Sequence, residues 1–296
     1  MSNCRRLIQK LGKFHICSLN QRGYATIVPS ELLKQELHCE NRVARLVLNN
    51  AKSRNVLSYD MMNELHRELQ NLDKNEAMRV VILAAEGPAF SAGHDLKELT
   101  ERPGVDYHKK VFKKCTELMQ LIQNMKLPVI AEVDGVAAAA GCQLVASCDI
   151  VVASEQSTFS VPGLRAGIFC STPGIPLARN VPRKLAMDML LTTRSITAGE
   201  ALRAGLVSRV VPNCQVKDES LRVAEPILNM SRSVTALGKA FFYSQIEQAN
   251  LNGVYRQGEA VMCENLKMAD AQKGIKSFIA KEKQTPKWTH TDEKVL

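Results

Sequence analysis

The run AAAAGCQLVASCD, Ala137 to Asp149, decides how this chain is read. Four alanines and a glycine lead into what reads as a short helix, Ala138 to Ala146. At such a start the first backbone N–H groups have no partner within the helix, and the helix dipole favours negative charge. Upstream, PVIAEV (Pro128–Val133) reads as a strand closed by an Asp134-Gly135 turn, and Ile150 to Ala153 reads as the next strand. Strand, small-residue loop, helix and strand in succession indicate an α/β architecture.

A second loop of the same character lies before it. RVVILA (Arg79–Ala84) suits a buried strand, and FSAGHDLK (Phe90–Lys97) then carries small residues that allow a close backbone approach to a ligand. Either loop alone would be a tight packing site. Together they supply two N–H donors for one oxygen, an oxyanion hole suited to a thioester carbonyl that gains charge as an enolate forms.

The remaining elements extend this pattern. VARLVL (Val43–Leu48) reads as a strand. Ser58 is placed to cap a helix over Tyr59 to Leu72, with Met62, Leu65 and Leu69 at helical spacing. Val105 to Met125 is an amphipathic helix whose Leu118, Leu121, Ile122 and Met125 form a core stripe. Beyond Pro182 the chain turns helical, through Leu221–Met230, Val234–Gln248 and Leu251–Met268. An α/β core to about residue 200 and a helical region after it are expected. Glu132 and Asp134 read as turn caps, Ser171 as a helix N-cap, and Cys142 and Cys170 as core thiols.

Composition narrows the function. The chain has 296 residues, 45% of them hydrophobic, enough to bury a full core. A net charge of +9 would invite a nucleic-acid reading, but the N-terminus accounts for much of it. Arg5, Arg6, Lys10, Lys13 and Arg22 precede the first acid, Glu31, and Leu7, Ile8, Leu11 and Phe14 fall on one helical face. This is the composition of a mitochondrial presequence. Cleavage near Arg22–Ala25 removes five positive charges and no negative one, taking +9 to +4. Nine cysteines without CxxC spacing argue against a disulfide framework and a structural zinc site. The most apolar window, Leu127 to Ala153, is interrupted by Glu132, Asp134, Gln143 and Asp149, which a bilayer penalises.

Five segments, in order, resemble the enoyl-CoA hydratase/isomerase (crotonase) superfamily, from about Val43 to Phe278. They are NNAKSRNVLS (Asn49–Ser58), AFSAGHDLKEL (Ala89–Leu99), the segment from Lys126 to Ser154, VPGLRAG (Val161–Gly167) and ITAGEALRAGLVSRVVP (Ile196–Pro212). The resemblance implies a crotonase-type spiral of ββα repeats, with C-terminal helices that make trimer contacts. It divides the chain into a presequence and linker (1–30), a spiral core (31–200) and a helical C-terminal region (201–296). It also implies a homotrimer or dimer of trimers in the mitochondrial matrix, working on fatty acyl-CoA. No cofactor, metal, nucleic-acid partner or transmembrane segment is expected, with a CoA thioester as ligand or substrate.

Carried over position by position, the resemblance makes the N–H groups of His94 and Ala140 the oxyanion donors. It sets Ser53, Arg54, Val56, Ala92, Asp95, Leu96, Lys97, Gly141 and Pro162 at the acyl-CoA. Arg54 and Lys97 suit the CoA phosphates. Where hydratases of this family carry two glutamates, this chain has Gln143 and Gly163. Hydration needs a proton taken from water and another delivered to carbon. Gln exchanges no proton near neutral pH, and Gly has no side chain. The expectation is an acyl-CoA-binding protein that is not an efficient hydratase. Alternatives are a thioester hydrolase, a decarboxylase, an isomerase with another base, or a non-catalytic acyl-CoA sensor. RNA binding is disfavoured by the lower charge after processing. Restoring both glutamates would test whether the surrounding geometry is intact.

Overall fold

The computed structural model describes residues 31–296; the presequence reading falls on residues outside that range. Among the described residues ten strands run in chain order: β1 (Leu33–His38), β2 (Val43–Leu48), β3 (Val80–Ala85), β4 (Ala89–Ser91), β5 (Val129–Val133), β6 (Val136–Ala138), β7 (Ile150–Ser154), β8 (Thr158–Ser160), β9 (Ile196–Thr197) and β10 (Arg209–Val211). They form a six-stranded sheet, β1-β2-β3-β5-β7-β10, and a four-stranded sheet, β4-β6-β8-β9. In the larger sheet only the β1–β2 pair is antiparallel; in the smaller, only β8–β9.

The helices are α1 (Tyr59–Lys74), α2 (Val105–Asn124), α3 (Ala140–Ser147), α4 (Ser171–Asn180), α5 (Arg183–Thr192), α6 (Ala198–Ala204), α7 (Val216–Leu228), α8 (Arg232–Ile246), α9 (Leu251–Lys267) and α10 (Ala269–Ile279). Each turn of the chain gives one strand to the large sheet, one to the small sheet, and then a helix. The units β3-β4-α2, β5-β6-α3 and β7-β8-α4 follow this rule. Such repeats make the crotonase spiral. The sheet takes its last strand, β10, from beyond residue 200, and α7 packs on the same sheet through Val216, Val223, Ala224 and Leu228.

Local sequence explains the elements. β2 and β3 are buried along nearly their whole length, as runs of Val, Ile, Leu and Ala in a covered parallel sheet should be. Ser58 caps α1 by accepting from Met61 N, and Met62, Leu65 and Leu69 are fully buried beneath it. On α2 the expected stripe holds, with Leu118 and Ile122 fully enclosed. The small-sheet strands have two or three residues each, too few to show an alternating pattern.

Two multiply bonded carboxylates, buried Glu132 and half-buried Asp149, tie this framework together. Glu132 lies inside β5 and is no turn cap. Its carboxylate takes two bonds from Arg45 of β2, at 2.6 and 3.1 Å, and one from Ser220 Oγ of α7 at 2.6 Å. Asp149 accepts from Val129 N, Lys239 Nζ and Tyr243 OH, at 2.7, 2.7 and 2.8 Å. Lys239 also donates to the Ile122 and Leu127 carbonyls, so α8 is tied to the core by one buried ammonium.

The Arg45 pair yields a stability test. Arg45→Ala leaves Glu132 charged and enclosed, so urea denaturation should record a loss of roughly 3–5 kcal/mol. Replacing both residues by Met should cost far less, because no charge is then stranded. The neighbouring Glu36 carboxyl is held below the ordinary carboxylate range, chiefly by its hydrogen bond to His38, with Lys217 and Arg45 assisting against burial. A depressed carboxylate stabilises the fold above its unfolded pKa and loses that contribution as pH falls. Unfolding free energy should therefore decline below about pH 4.

Candidate functional site

Three loops meet at one end of the sheets. The turn after β2 crosses to the loop after β4: Ala92 N donates to Arg54 O at 3.0 Å, and Leu57 N to Gly93 O at 2.7 Å. Arg54 and Asn55 take left-handed backbone angles, and the buried Asn55 amide donates to the Glu86 and Ala89 carbonyls, both at 2.8 Å. Glu98 braces the far side by accepting from Tyr59 N at 2.9 Å and from Tyr107 OH at 3.2 Å. Ser53, Arg54, Val56, Ala92, Asp95, Leu96 and Lys97 thus belong to one linked surface. Asp95 accepts from Lys97 N, while Arg54, Leu96 and Lys97 are exposed.

The third loop is Ala137–Gly141. A side-chain carbon on Gly93 would lie 2.8 Å from Ala139 Cβ and 3.2 Å from Ala140 N, so the Gly93–His94 peptide runs against the start of α3. A Cβ on Gly141 would lie 2.4 Å from Ser91 O. Only glycine permits either approach. The amides of His94 and Ala140 donate to no acceptor among the described residues. Ala139 caps α3 at φ 49°, ψ −118°, a region an L-residue enters under strain; bonds from its N to Ser160 O and from Gln143 N to its O hold it there.

Gln143 is 4% exposed. Its Oε1 lies 3.9 Å from the Cys115 thiol of α2, and its amino group has no protein partner among the described residues. Gly163 follows Pro162 at the head of a 3-10 turn, Gly163–Ala166. A Cβ there would lie 2.2 Å from Ile168 O and 2.7 Å from Cys170 Sγ, while Gly163 N donates to that sulfur at 3.2 Å. No side chain enters at Gly163 unless the segment to Cys170 moves. Restoring a glutamate there therefore changes the backbone as well as the chemistry.

Burial raises the other candidate groups out of reach. The Cys142 and Cys115 thiols are pushed up to about 12, and Cys170 is raised by the same cause. All three are poor thiolates at neutral pH, as expected of core thiols. The helix after Cys170 is capped by Cys170 itself; Ser171 is its first residue and donates to Phe169 O, so it is no N-cap. The His94 ring turns to Leu57 O, 3.2 Å from Nδ1, and sits edge-on to Phe112 at 5.3 Å. A carbonyl can only accept, so Nδ1 carries the proton and Nε2 is bare. Burial lowers the His94 pKa, favouring the neutral ring. At this site His94 contributes a backbone amide and a packed, uncharged side chain.

Two substitutions test the packing. Gly163→Ala should cost about 1–3 kcal/mol in urea denaturation, the range for forced overpacking. Ala139→Gly should raise stability by about 1 kcal/mol, since relief of about 1–3 kcal/mol of strain exceeds the entropic penalty of about 0.4–1 kcal/mol for glycine.

Comparison with known proteins agrees with this fold. The enoyl-CoA hydratase/isomerase family profile matches residues 38–291. The enoyl-CoA hydratase domain-containing protein 3, mitochondrial, of Rattus norvegicus is 49% identical over 251 residues, spanning 85% of this chain and 83% of the relative. Its human counterpart is 51% identical over 249 residues, spanning 84% and 81%. The crystal structure of the human protein superposes with a TM-score of 0.81 at 48% identity, covering 84% of this chain and 98% of that one. An enoyl-CoA hydratase from Mycobacterium smegmatis gives 0.83 at 42% identity, covering 88% and 100%. Matched along most of its length in sequence and in fold, the chain belongs to the enoyl-CoA hydratase/isomerase family.

Proposed function

We propose that this protein binds acyl-CoA thioesters through the His94 and Ala140 amides and does not hydrate enoyl-CoA efficiently. The observation that supports the reading is the close approach of Gly93 to the start of α3, with the His94 and Ala140 amides donating to no acceptor among the described residues. Such donors favour a carbonyl oxygen on which charge develops. Arg54 and Lys97 stand exposed on the adjoining surface and suit the CoA phosphates. Ser53, Val56, Ala92, Asp95, Leu96, Gly141 and Pro162 complete the proposed contact set.

The proposed loss of hydratase chemistry rests on Gln143 and Gly163. Each missing acid–base group typically costs on the order of 10²–10⁴ in rate. Among the described residues the nearby thiols are raised and the His94 ring has Nδ1 engaged and Nε2 buried, so neither is suited to replace them. The Gln143 amino group is free to hydrogen-bond a ligand or water without exchanging a proton.

The basic N-terminus and the relatives whose names include "mitochondrial" support placement in the mitochondrial matrix and a part in fatty-acid metabolism. A trimer is supported by the C-terminal helices. α9 buries no residue within the single chain, and Phe242, Tyr255, Met262 and Phe278 are exposed. Apolar surface of this extent calls for a partner.

The test is a panel of CoA thioesters read by melting temperature and by product mass. Ligand at a hundredfold its Kd should stabilise the protein by about 2.7 kcal/mol. Crotonyl-CoA hydration should remain near background. No thermal shift at millimolar thioester would refute the binding site, and turnover like that of an ordinary hydratase would refute the acid–base assignment. Binding with no product anywhere in the panel would identify a sensor.

A further inference from the structure

A group of cations stands apart from the three loops, at the opposite ends of the parallel strands. Arg79 immediately precedes β3, Lys126 precedes β5, and Arg232 opens α8. These three, with Thr235, Pro128 and Ile227, line a shallow cleft of about 190 Å³ measured out to open solvent. No carboxylate lines it.

The arginines are held there by backbone carbonyls alone. Arg79 Nη1 donates to Glu76 O and Met78 O at 2.6 and 2.9 Å, and Arg232 Nη2 donates to Asp73 O at 2.7 Å. The Nε of each is buried with no partner. The charges acting on Arg79 are those of Arg232 and Arg42, both of its own sign. Nearby carboxylates are engaged elsewhere. Asp73 accepts from the Lys126 and Leu127 amides, and Asp270 from Ser231, Thr289 and His290. Glu40 reaches only Arg42, from an exposed position. His290 accepts from Arg232 N, and burial and the arginine charges lower its pKa against the opposing pull of Asp270.

Like charges placed together without counterions are costly, and buried guanidinium donors left unpaired add to that cost. An anion at the surface of the cluster relieves the first of these costs. We propose that this cleft is a binding site for a phosphate-type dianion, held at its mouth by the Arg79 and Arg232 guanidinium groups and the Lys126 ammonium. Two guanidinium groups and one ammonium match the charge of a dianion better than that of a single carboxylate. The start of α8, beside Arg232, adds a favourable dipole. The cleft is too shallow to enclose a metabolite, so only a phosphoryl group resting on its rim is in reach, and free phosphate and the end of a phosphate monoester share that chemistry.

The experiment is calorimetric and thermal titration of the full chain with inorganic phosphate, at constant ionic strength set with chloride. A saturable rise in melting temperature with one phosphate per chain is expected. Arg79→Gln should raise the Kd by about tenfold or more, the loss of a charge-assisted hydrogen bond. Lys126→Gln, at an exposed position, should weaken binding with the fold undisturbed and serves if the arginine variant folds poorly. A parallel titration with glycerol phosphate separates the sources: matching affinity identifies a monoester site, and binding of inorganic phosphate alone identifies free phosphate. No saturable effect, or an equal effect in wild type and both variants, overturns the proposal.

The inference stands independently of the thioester reading. Arg79→Gln should keep its thermal response to CoA thioesters, and an Arg54→Ala/Lys97→Ala variant should keep its response to phosphate. Loss of the phosphate response in that second variant would put the anion in the thioester site and overturn the assignment.

Discussion

The architecture around the site depends on a backbone contact with no room for a side chain. Ser91 O stands where a Cβ on Gly141 would be, and the Gly93 peptide runs against Ala139 and Ala140 N. Through these contacts β4 and the start of α3, some fifty residues apart in sequence, become a single unit. Ala139, inside this contact, has strained angles that neighbouring hydrogen bonds hold in place. A hydrogen-bonding site made of backbone amides needs this rigidity, since main-chain atoms cannot be repositioned by choosing a rotamer.

Burial decides the character of the groups around that unit. The three enclosed thiols are kept protonated, and the His94 imidazole is kept neutral with Nδ1 committed to Leu57 O. At Gly163 the chain has closed over the vacancy, with Ile168 O and Cys170 Sγ in the space of a side chain. The charges that are enclosed deeper in the fold are structural. Glu132 is matched by Arg45 and Ser220, and Asp149 by Lys239 and Tyr243, so the sheet and the C-terminal helices are joined by satisfied ions.

Much of this was legible from residue patterns. The long elements announced themselves: the apolar runs of β2, β3 and β5, the Ser58 cap, and the helical stripe through Leu118 and Ile122. Glu132 was misread because an acid near a Gly turn has an obvious local use, whereas its partner Arg45 lies 87 residues away. Ser171 was misread because a Ser ahead of Thr172-Pro173 fits a cap pattern, and the shift is a single residue. The cation cleft had no local signal at all. Its members come from separate segments and converge only through the sheet order.

The sequence by itself determined the fold class, the family resemblance, and the absence of glutamates at Gln143 and Gly163, because these depend on residue identity and on spacing along the chain. Tertiary structure alone decided that Gly163 has no space for a side chain, that the His94 ring faces Leu57, and that Arg79, Lys126 and Arg232 share one cleft. Those outcomes depend on distances of a few ångströms between segments far apart in sequence. Excluded volume and charge act at that range, and linear spacing does not encode it.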